Sequence, residues 1–214
     1  MDKLSIFILG AGGHAKVLLD CLCFNKNIHI LGILDINQQL HGKTILGFSV
    51  INGEDDILKK YSPLEIKLVN GIGSVRLPTL RENVFNKFKK AGFSFLNVIH
   101  PTSYLGQDVL LNEGIQAFAG SIIQPGCRIG DNVIINTSAS IDHDCSIGNH
   151  VHLAPGVVCC GNVTIDEGTH VGSGAIILQG THIGNHCLIG AGAVVTHDIA
   201  AASQVAGIPA RIME

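Results

Sequence analysis

The sequence predicts a small α/β domain followed by a three-sided parallel β-helix. Three observations predict it. Residues 99–200 repeat with a period of six, a strand-like run at Ser5–Leu9 feeds a glycine-rich turn and a helical run, and charge divides the chain near Ile99. Twelve of the 14 basic residues and eight acids precede Ile99, a balance of +4. Beyond it stand only Arg128 and Arg211 against nine acids, a balance of −7. Segments so different in chemistry are read as two domains, 1–98 and 99–214.

In the first domain, Ser5–Leu9 reads as a buried strand, Lys16–Phe24 as a helix and Ile28–Leu34 as a second strand ending at Asp35. Between the first two lies Gly10-Ala11-Gly12-Gly13-His14-Ala15, in which Gly10, Gly12 and Ala15 fit G-x-G-x-x-[GA]. Such glycines allow a tight turn and let a phosphate approach a helix N-terminus. Asp35 stands about where an acid would contact a ribose. The unit is therefore Rossmann-like, with further strands expected at Ile45–Val50 and Ile66–Val69 and a helix over Val75–Lys90. It is too short for a full dinucleotide domain, which favours a nucleotide-activated substrate over NAD. In the bland alternative the glycines only pack strand on helix.

Written in sixes from Ile99, the second half has Ile, Leu or Val at the first position of 15 of 17 hexads. Ala117 and Cys159 are the exceptions. The fifth position is Ala, Ser, Thr, Cys or Val in 15 of 17, with Ile115 and Ile199 the exceptions. A period of six cannot line one face of an α-helix, which repeats every 3.6 residues. It suits short strands joined by tight turns, three to a coil of 18 residues. Branched residues then fill the interior and small ones the corners. No slip of register is expected across the 17 hexads, nearly six coils.

Composition narrows the function. A net charge of −3 argues against a general nucleic-acid binder. No apolar run approaches the roughly 20 residues needed to span a bilayer. No secretory signal pattern opens the chain. The seven cysteines are odd in number and lack disulfide-scaffold spacing. A cytoplasmic protein with reduced thiols and no membrane insertion is expected.

The hexads, together with the exit segment Val205–Ile212 (VAGIPARI), resemble the hexapeptide-repeat acyltransferases. That resemblance implies a left-handed parallel β-helix and a homotrimer. With the G-x-G-G-H-A loop added, nearly the whole chain resembles the bacterial subfamily of nucleotide-amino-sugar N-acetyltransferases and sialic-acid O-acetyltransferases. The resemblance implies that the small domain holds a nucleotide sugar, with Asp35 on the nucleotide and Gly12 and Gly13 beside the diphosphate. Gly71 and Gly73 of NGIGS would border the same pocket. The donor it implies is acetyl-CoA.

Asp142-His143-Asp144-Cys145 resembles the subfamily's [ED]-H-[DE]-C segment, where the histidine is the base and the following acid orients it. His143 falls on an outward turn, with Asp144 placed to hold one ring nitrogen and leave the other free for a proton. The resemblance further implies that the acetyl group lies between adjacent subunits, with the Gly161 amide facing its carbonyl and His152 lining the same cleft. Direct transfer is expected rather than a Cys145 acyl-enzyme, because Cys145 occupies an inward position. Arg211, with backbone around Ala191, is the expected contact for the coenzyme phosphates.

Three rivals stand beside an N-acetyltransferase. One is an O-acetyltransferase of the sialic-acid type, and another is a non-catalytic β-helix scaffold or binding protein. The third is a zinc carbonic anhydrase, suggested by His152 and His170 standing one coil apart. No third histidine has fitting spacing, so no metal is expected.

Overall fold

The computed structural model describes residues 3–51, 53 and 55–213. The N-terminal sheet contains β1 (Leu4–Leu9), β2 (Ile28–Leu34), β3 (Thr44–Ile45), β4 (Phe48–Ile51) and β5 (Lys67–Asn70), in the order β3-β4-β2-β1-β5. β1 is flanked by parallel neighbours on both sides. Its Ile6, Phe7, Ile8 and Leu9 are all buried, as expected of a continuous apolar run in a parallel sheet.

Helix α1 (Gly13–Leu22) buries Ala15, Leu18, Leu19 and Leu22, spaced i, i+3, i+4, i+7 along one face. A short helix α2 (Asp55–Lys60), which the sequence reading did not anticipate, precedes β5. Helix α3 (Thr79–Lys90) buries the same pattern of positions, Arg81, Val84, Phe85 and Phe88. Its stripe begins with a charged residue.

Two expectations for this domain need correction. The single strand expected at Ile45–Val50 is an antiparallel hairpin, β3 and β4. Leu46 and Gly47 at its tip have φ of +48° and +85°. A two-residue turn of this kind needs positive φ at both positions. Leucine is an unusual occupant, so the turn gives little sequence signal. The helix expected from Val75 starts only at Thr79, with Pro78 as its cap residue. Residues 71–78 form a loop instead.

Val98–Ile99 begins the β-helix, which stacks two-residue strands into three parallel sheets. The first face carries Gln116–Ala117, Ile134–Ile135, His152–Leu153, His170–Val171 and Leu188–Ile189. The second runs from Tyr104–Leu105 to Val194–Val195, and the third from Leu110–Leu111 to His182–Ile183. Partners stand 18 residues apart, as in Ile123↔Ile141 and Leu153↔Val171. The second residue of each strand points inward and joins the fifth-position residues in one core.

Every sixth residue from Asp108 to Gly192 has φ between +52° and +78°. This left-handed position closes each corner, and glycine or a short polar residue takes it most readily. The register does slip once, contrary to expectation. Ile183 pairs with Ile199, and Leu188 with Gln204, so the last coil spans 16 residues. Ile199, an exception at the fifth position, therefore occupies a first position. The corner after Val195 is two residues shorter than the others, and Ile199 still reaches the interior.

The three faces differ in what covers them. The N-terminal domain packs on the first face, so its outward Gln116, Ile134, His152 and His170 are all buried. The second face leaves Tyr104, Ile122, Val158 and Ile176 exposed, a strip of apolar side chains. On the third face Arg128, Ser146 and His182 are exposed. No described helix is long and apolar enough to cross a membrane.

Candidate active site

A cleft of about 500 Å³ opens where the glycine loop meets the first face. Gly12, Gly13, Asp35, Gly71 and Gly73 all line it, together with His14, Ser74, Asn136 and His152. Gly12 and Gly13 have open space where a Cβ would stand, so ligand atoms can approach the start of α1 closely. At Gly71 a Cβ would stand 2.7 Å from Ile8 Cγ2 and 2.8 Å from the Leu9 carbonyl oxygen, so only glycine fits there. Asp35 shapes the loop as well as facing the cleft. Its Oδ2 accepts from the Ala11 amide at 2.7 Å and its Oδ1 from the Asn37 amide at 2.8 Å.

A polar network ties this cleft to the β-helix. Gln116 Nε2 donates to the Asn70 carbonyl at 2.7 Å, which turns Gln116 Oε1 toward His14 Nε2 at 2.6 Å. The His14 proton therefore sits on Nε2. Burial lowers its pKa to about 4, so the ring is neutral at pH 7. Arg81 is buried. It donates to the carbonyls of Asn70 (3.0 Å), Ile72 (2.9 Å) and Asn132 (3.2 and 3.3 Å), holding the 70–74 loop against the last corner of the second coil.

A second cleft, about 480 Å³, continues from the first and shares Ser74, Val75, Asn136 and His152 with it. Ala154, Gly172, Gly190 and Ala191, at the corner between first and second faces, form its far wall. Asn136 Oδ1 accepts from the Thr137 amide, so its Nδ2 faces His152 Nε2 at 3.2 Å. His152 Nδ1 then carries the ring proton and donates to Ser74 Oγ at 2.8 Å. Burial holds its pKa well below the ordinary value, and brings His170 to about 4. The His152 and His170 rings meet edge to face at 4.8 Å. Both nitrogens of His152 are thus committed, which leaves it no lone pair for a metal.

His143 stands elsewhere, at the corner between second and third faces. Its Nδ1 donates to Asp144 Oδ2 at 2.8 Å, leaving the Nε2 lone pair available. That hydrogen bond raises its pKa above 6.5. The Asp144 backbone is left-handed, with φ +61°. A Cβ on Gly126 would stand 2.6 Å from Asp144 Oδ1, and one on Gly161 would stand 2.5 Å from His143 Nε2. Two glycines, one coil below and one above, thus leave room for the pair. Among the described residues the Gly161 N–H finds no acceptor. Cys145, beside them, is buried, and its thiol pKa is raised by its hydrogen bond with Cys127 and by burial. This disfavours the thiolate that an acyl-enzyme would require.

Gly161→Ala tests this packing. Its backbone φ is not left-handed, so the added methyl acts on the imidazole rather than on the chain. The expected result is a tenfold or greater fall in kcat, of the order that misplacing a catalytic group produces, with the melting temperature nearly unchanged. Undiminished kcat would show that the ring needs no such space.

The residues expected on the donor side do not converge within one chain. His152 and Ala191 line the second cleft, whereas Gly161 lies against His143 at the far edge of the second face. Within one chain, His152 and Gly161 thus stand on opposite sides of the second face, and the cleft expected to join them is one between adjacent subunits. Arg211 lines a hollow near residues 196–200, and its Nη1 donates to the Ala210 carbonyl at 2.8 Å. It borders neither cleft.

Glu82, His150 and Glu167 bring potential ligand atoms within 4.8 Å of one another. His150 Nδ1 lies 2.9 Å from Asn132 Nδ2, an amide donor. The single lone pair of the neutral ring is therefore used.

The sequence reading did not single out His14, Ser74 or Asn136. His14 was present in the quoted loop motif, but its partner Gln116 is 102 residues away. Nothing local distinguishes Asn136 from other polar corner residues.

Comparison with known proteins is consistent with this architecture. Residues 5–88 match the PglD N-terminal domain family. Residues 126–161 and 162–197 each match the bacterial transferase hexapeptide (six repeats) family. The GDP-perosamine N-acetyltransferase of Escherichia coli O157:H7 is 30% identical over 185 residues, 79% of this chain and 76% of the relative. The chain belongs to the hexapeptide-repeat sugar acetyltransferases.

Solved structures of the family agree over nearly the whole length. The acetyltransferase domain of PglB from Neisseria gonorrhoeae FA1090, in complex with acetyl coenzyme A, superposes with a TM-score of 0.89 at 30% identity. The alignment covers 99% of this chain and 100% of that one. PerB from Caulobacter crescentus, in complex with CoA and GDP-perosamine, gives 0.87 at 33% identity over 98% and 97%. The fold is thus a left-handed β-helix behind an α/β domain, and the protein is an acetyl-CoA-dependent acyltransferase.

Proposed function

We propose that this enzyme transfers the acetyl group of acetyl-CoA to the amino group of a nucleotide-linked deoxyamino sugar, with residues 1–98 holding the nucleotide and residues 99–214 the donor. The single observation that carries the proposal is the His143–Asp144 pair, whose free Nε2 is poised to take a proton beside the unpaired Gly161 N–H. The relatives that bind CoA with GDP-perosamine support the substrate class.

In the reaction, the sugar amine attacks the thioester carbonyl and a C–N bond forms. His143 Nε2 takes the proton that the nitrogen loses. The Gly161 N–H is a donor to the developing oxyanion. The C–S bond then breaks, and the proton passes from His143 to the departing thiolate. Asp144 keeps the His143 proton on Nδ1 and steadies the imidazolium that forms.

A homotrimer completes the site. The second face bears exposed Tyr104, Ile122, Val158 and Ile176, and its two edges carry the two halves of the chemistry. One edge has the corner of the second cleft and the other has His143. Protomers packed through this face about a threefold axis bring His143 of one chain to the clefts of the next. We place the enzyme in the cytoplasm, with its thiols reduced.

Thiol release from acetyl-CoA against a panel of UDP-, GDP- and CMP-linked sugars tests the reading. Turnover is expected with an amino sugar. Turnover on hydroxyl acceptors alone would make this an O-acetyltransferase. Mixing His143→Ala chains with Gly12→Glu chains tests the shared site. Each parent is expected to be inactive, and random mixed trimers should recover roughly a quarter of the activity. Failure to recover any would place the whole site within one chain.

A further inference from the structure

We propose that Arg76 binds a phosphate group of the substrates from the wall of the second cleft, the coenzyme A phosphates being the expected source. This rests on the acetyl-transfer reading above. Of the residues lining that cleft, Arg76 alone carries a formal charge. Its two histidines, His152 and His170, are buried and held neutral. No carboxylate borders the cleft. An anion entering it therefore meets one cation and no opposing acid.

The guanidinium is also uncommitted. Arg76 is exposed, and among the described residues it makes no hydrogen bond or ion pair. The β-helix supplies no substitute. Arg128 points out from the third face, and Arg211 lies against the Ala210 carbonyl beside a different hollow. A donor bearing several phosphates thus finds its cation on the N-terminal domain rather than on the repeat.

The placement is specific to the loop. Arg76 follows Gly73, Ser74 and Val75, which line the first cleft, and Ser74 is fastened to His152 across the domain junction. The base of the loop is clamped by Arg81 through the Asn70 and Ile72 carbonyls. An arginine on a loop held at both points can present its planar fork to a phosphate with little ordering to do. The first cleft, by contrast, offers phosphate the backbone at the start of α1 and neutral polar side chains, with Asp35 the one charge on its wall.

Steady-state kinetics and calorimetry on Arg76→Ala and Arg76→Lys test the proposal. Charge-assisted hydrogen bonds of this kind correspond to a change of about tenfold or more in affinity. The expected result is a rise of that size in the KM for acetyl-CoA and in the CoA dissociation constant, with kcat little changed. Acetyl-pantetheine, which lacks phosphate, should show no such rise, and Arg76→Lys should recover part of the loss. A rise confined to the nucleotide sugar would keep Arg76 as a phosphate ligand and assign it to the acceptor's diphosphate. Both KM values within twofold of wild type would overturn the proposal, whatever Arg128→Ala shows. Should wild type turn over no amino sugar, the acetyl-transfer reading fails, while CoA calorimetry still decides the role of Arg76.

Discussion

His143→Ala is expected to lower kcat by about 10²–10⁴-fold, the usual worth of a general base, and to leave the oligomer and its melting temperature intact. The side chain is half-exposed and lies outside the core, so its loss leaves no cavity. Asp144→Asn gives the companion result. Asparagine tolerates the left-handed backbone at φ +61°, so the corner should keep its shape. With the carboxylate present, the histidine pKa stands above 6.5, and kcat/KM should rise with pH through a midpoint above that value as the ring becomes neutral. Removing the carboxylate removes the principal cause of the shift, the hydrogen bond to Asp144. The midpoint should then move down toward 6.5, and the plateau should fall because the base is weaker and less well oriented. A pH profile identical in the two proteins would sink the pairing.

Arg81→Met is expected to destabilise the protein by roughly 3 kcal/mol, the scale for removing a charged donor from buried acceptors. The guanidinium is fully buried, and burial lowers its pKa to about 9, so it is still charged at pH 7. Methionine would fill much of the space while abandoning the Asn70, Ile72 and Asn132 carbonyls. Of these, Asn70 retains a second donor in Gln116. Denaturant unfolding measures the loss. The KM for the nucleotide sugar should rise as well, because the 70–74 loop that lines the first cleft loses its clamp. Arg81→Lys keeps a charge but cannot span three acceptors, and should recover only part of the stability. A loss below about 1 kcal/mol, within the range of one ordinary hydrogen bond, would mean that the clamp is dispensable.

Much of the architecture was readable because its causes are local and periodic. A six-residue rule places inward residues at fixed intervals, and the left-handed corner recurs at the same spacing from Asp108 to Gly192. The glycine loop and the His143–Asp144 neighbours were readable for the same reason, since they are contiguous in the chain. The Leu46–Gly47 hairpin was not, because leucine rarely marks a left-handed turn. The short final coil leaves no mark in the repeat because Ile199 fits the hexad at a tolerated exception, and only its pairing with Ile183 reveals its position.

By itself, then, the sequence determined the two-part build, the winding of the repeat, the glycine-rich turn between β1 and α1 and the pairing of His143 with its neighbouring acid. Only the tertiary structure decided which face of the prism the N-terminal domain covers, that His152 faces a cleft distant from Gly161 within the chain, and that Arg81 clamps the loop from which Arg76 borders the second cleft. The physical reason is range. Backbone shape and inward packing depend on residues a few positions apart. The Ser74–His152 and Arg81–Asn132 bonds join residues 78 and 51 positions apart, whose meeting depends on how one folded unit docks on another.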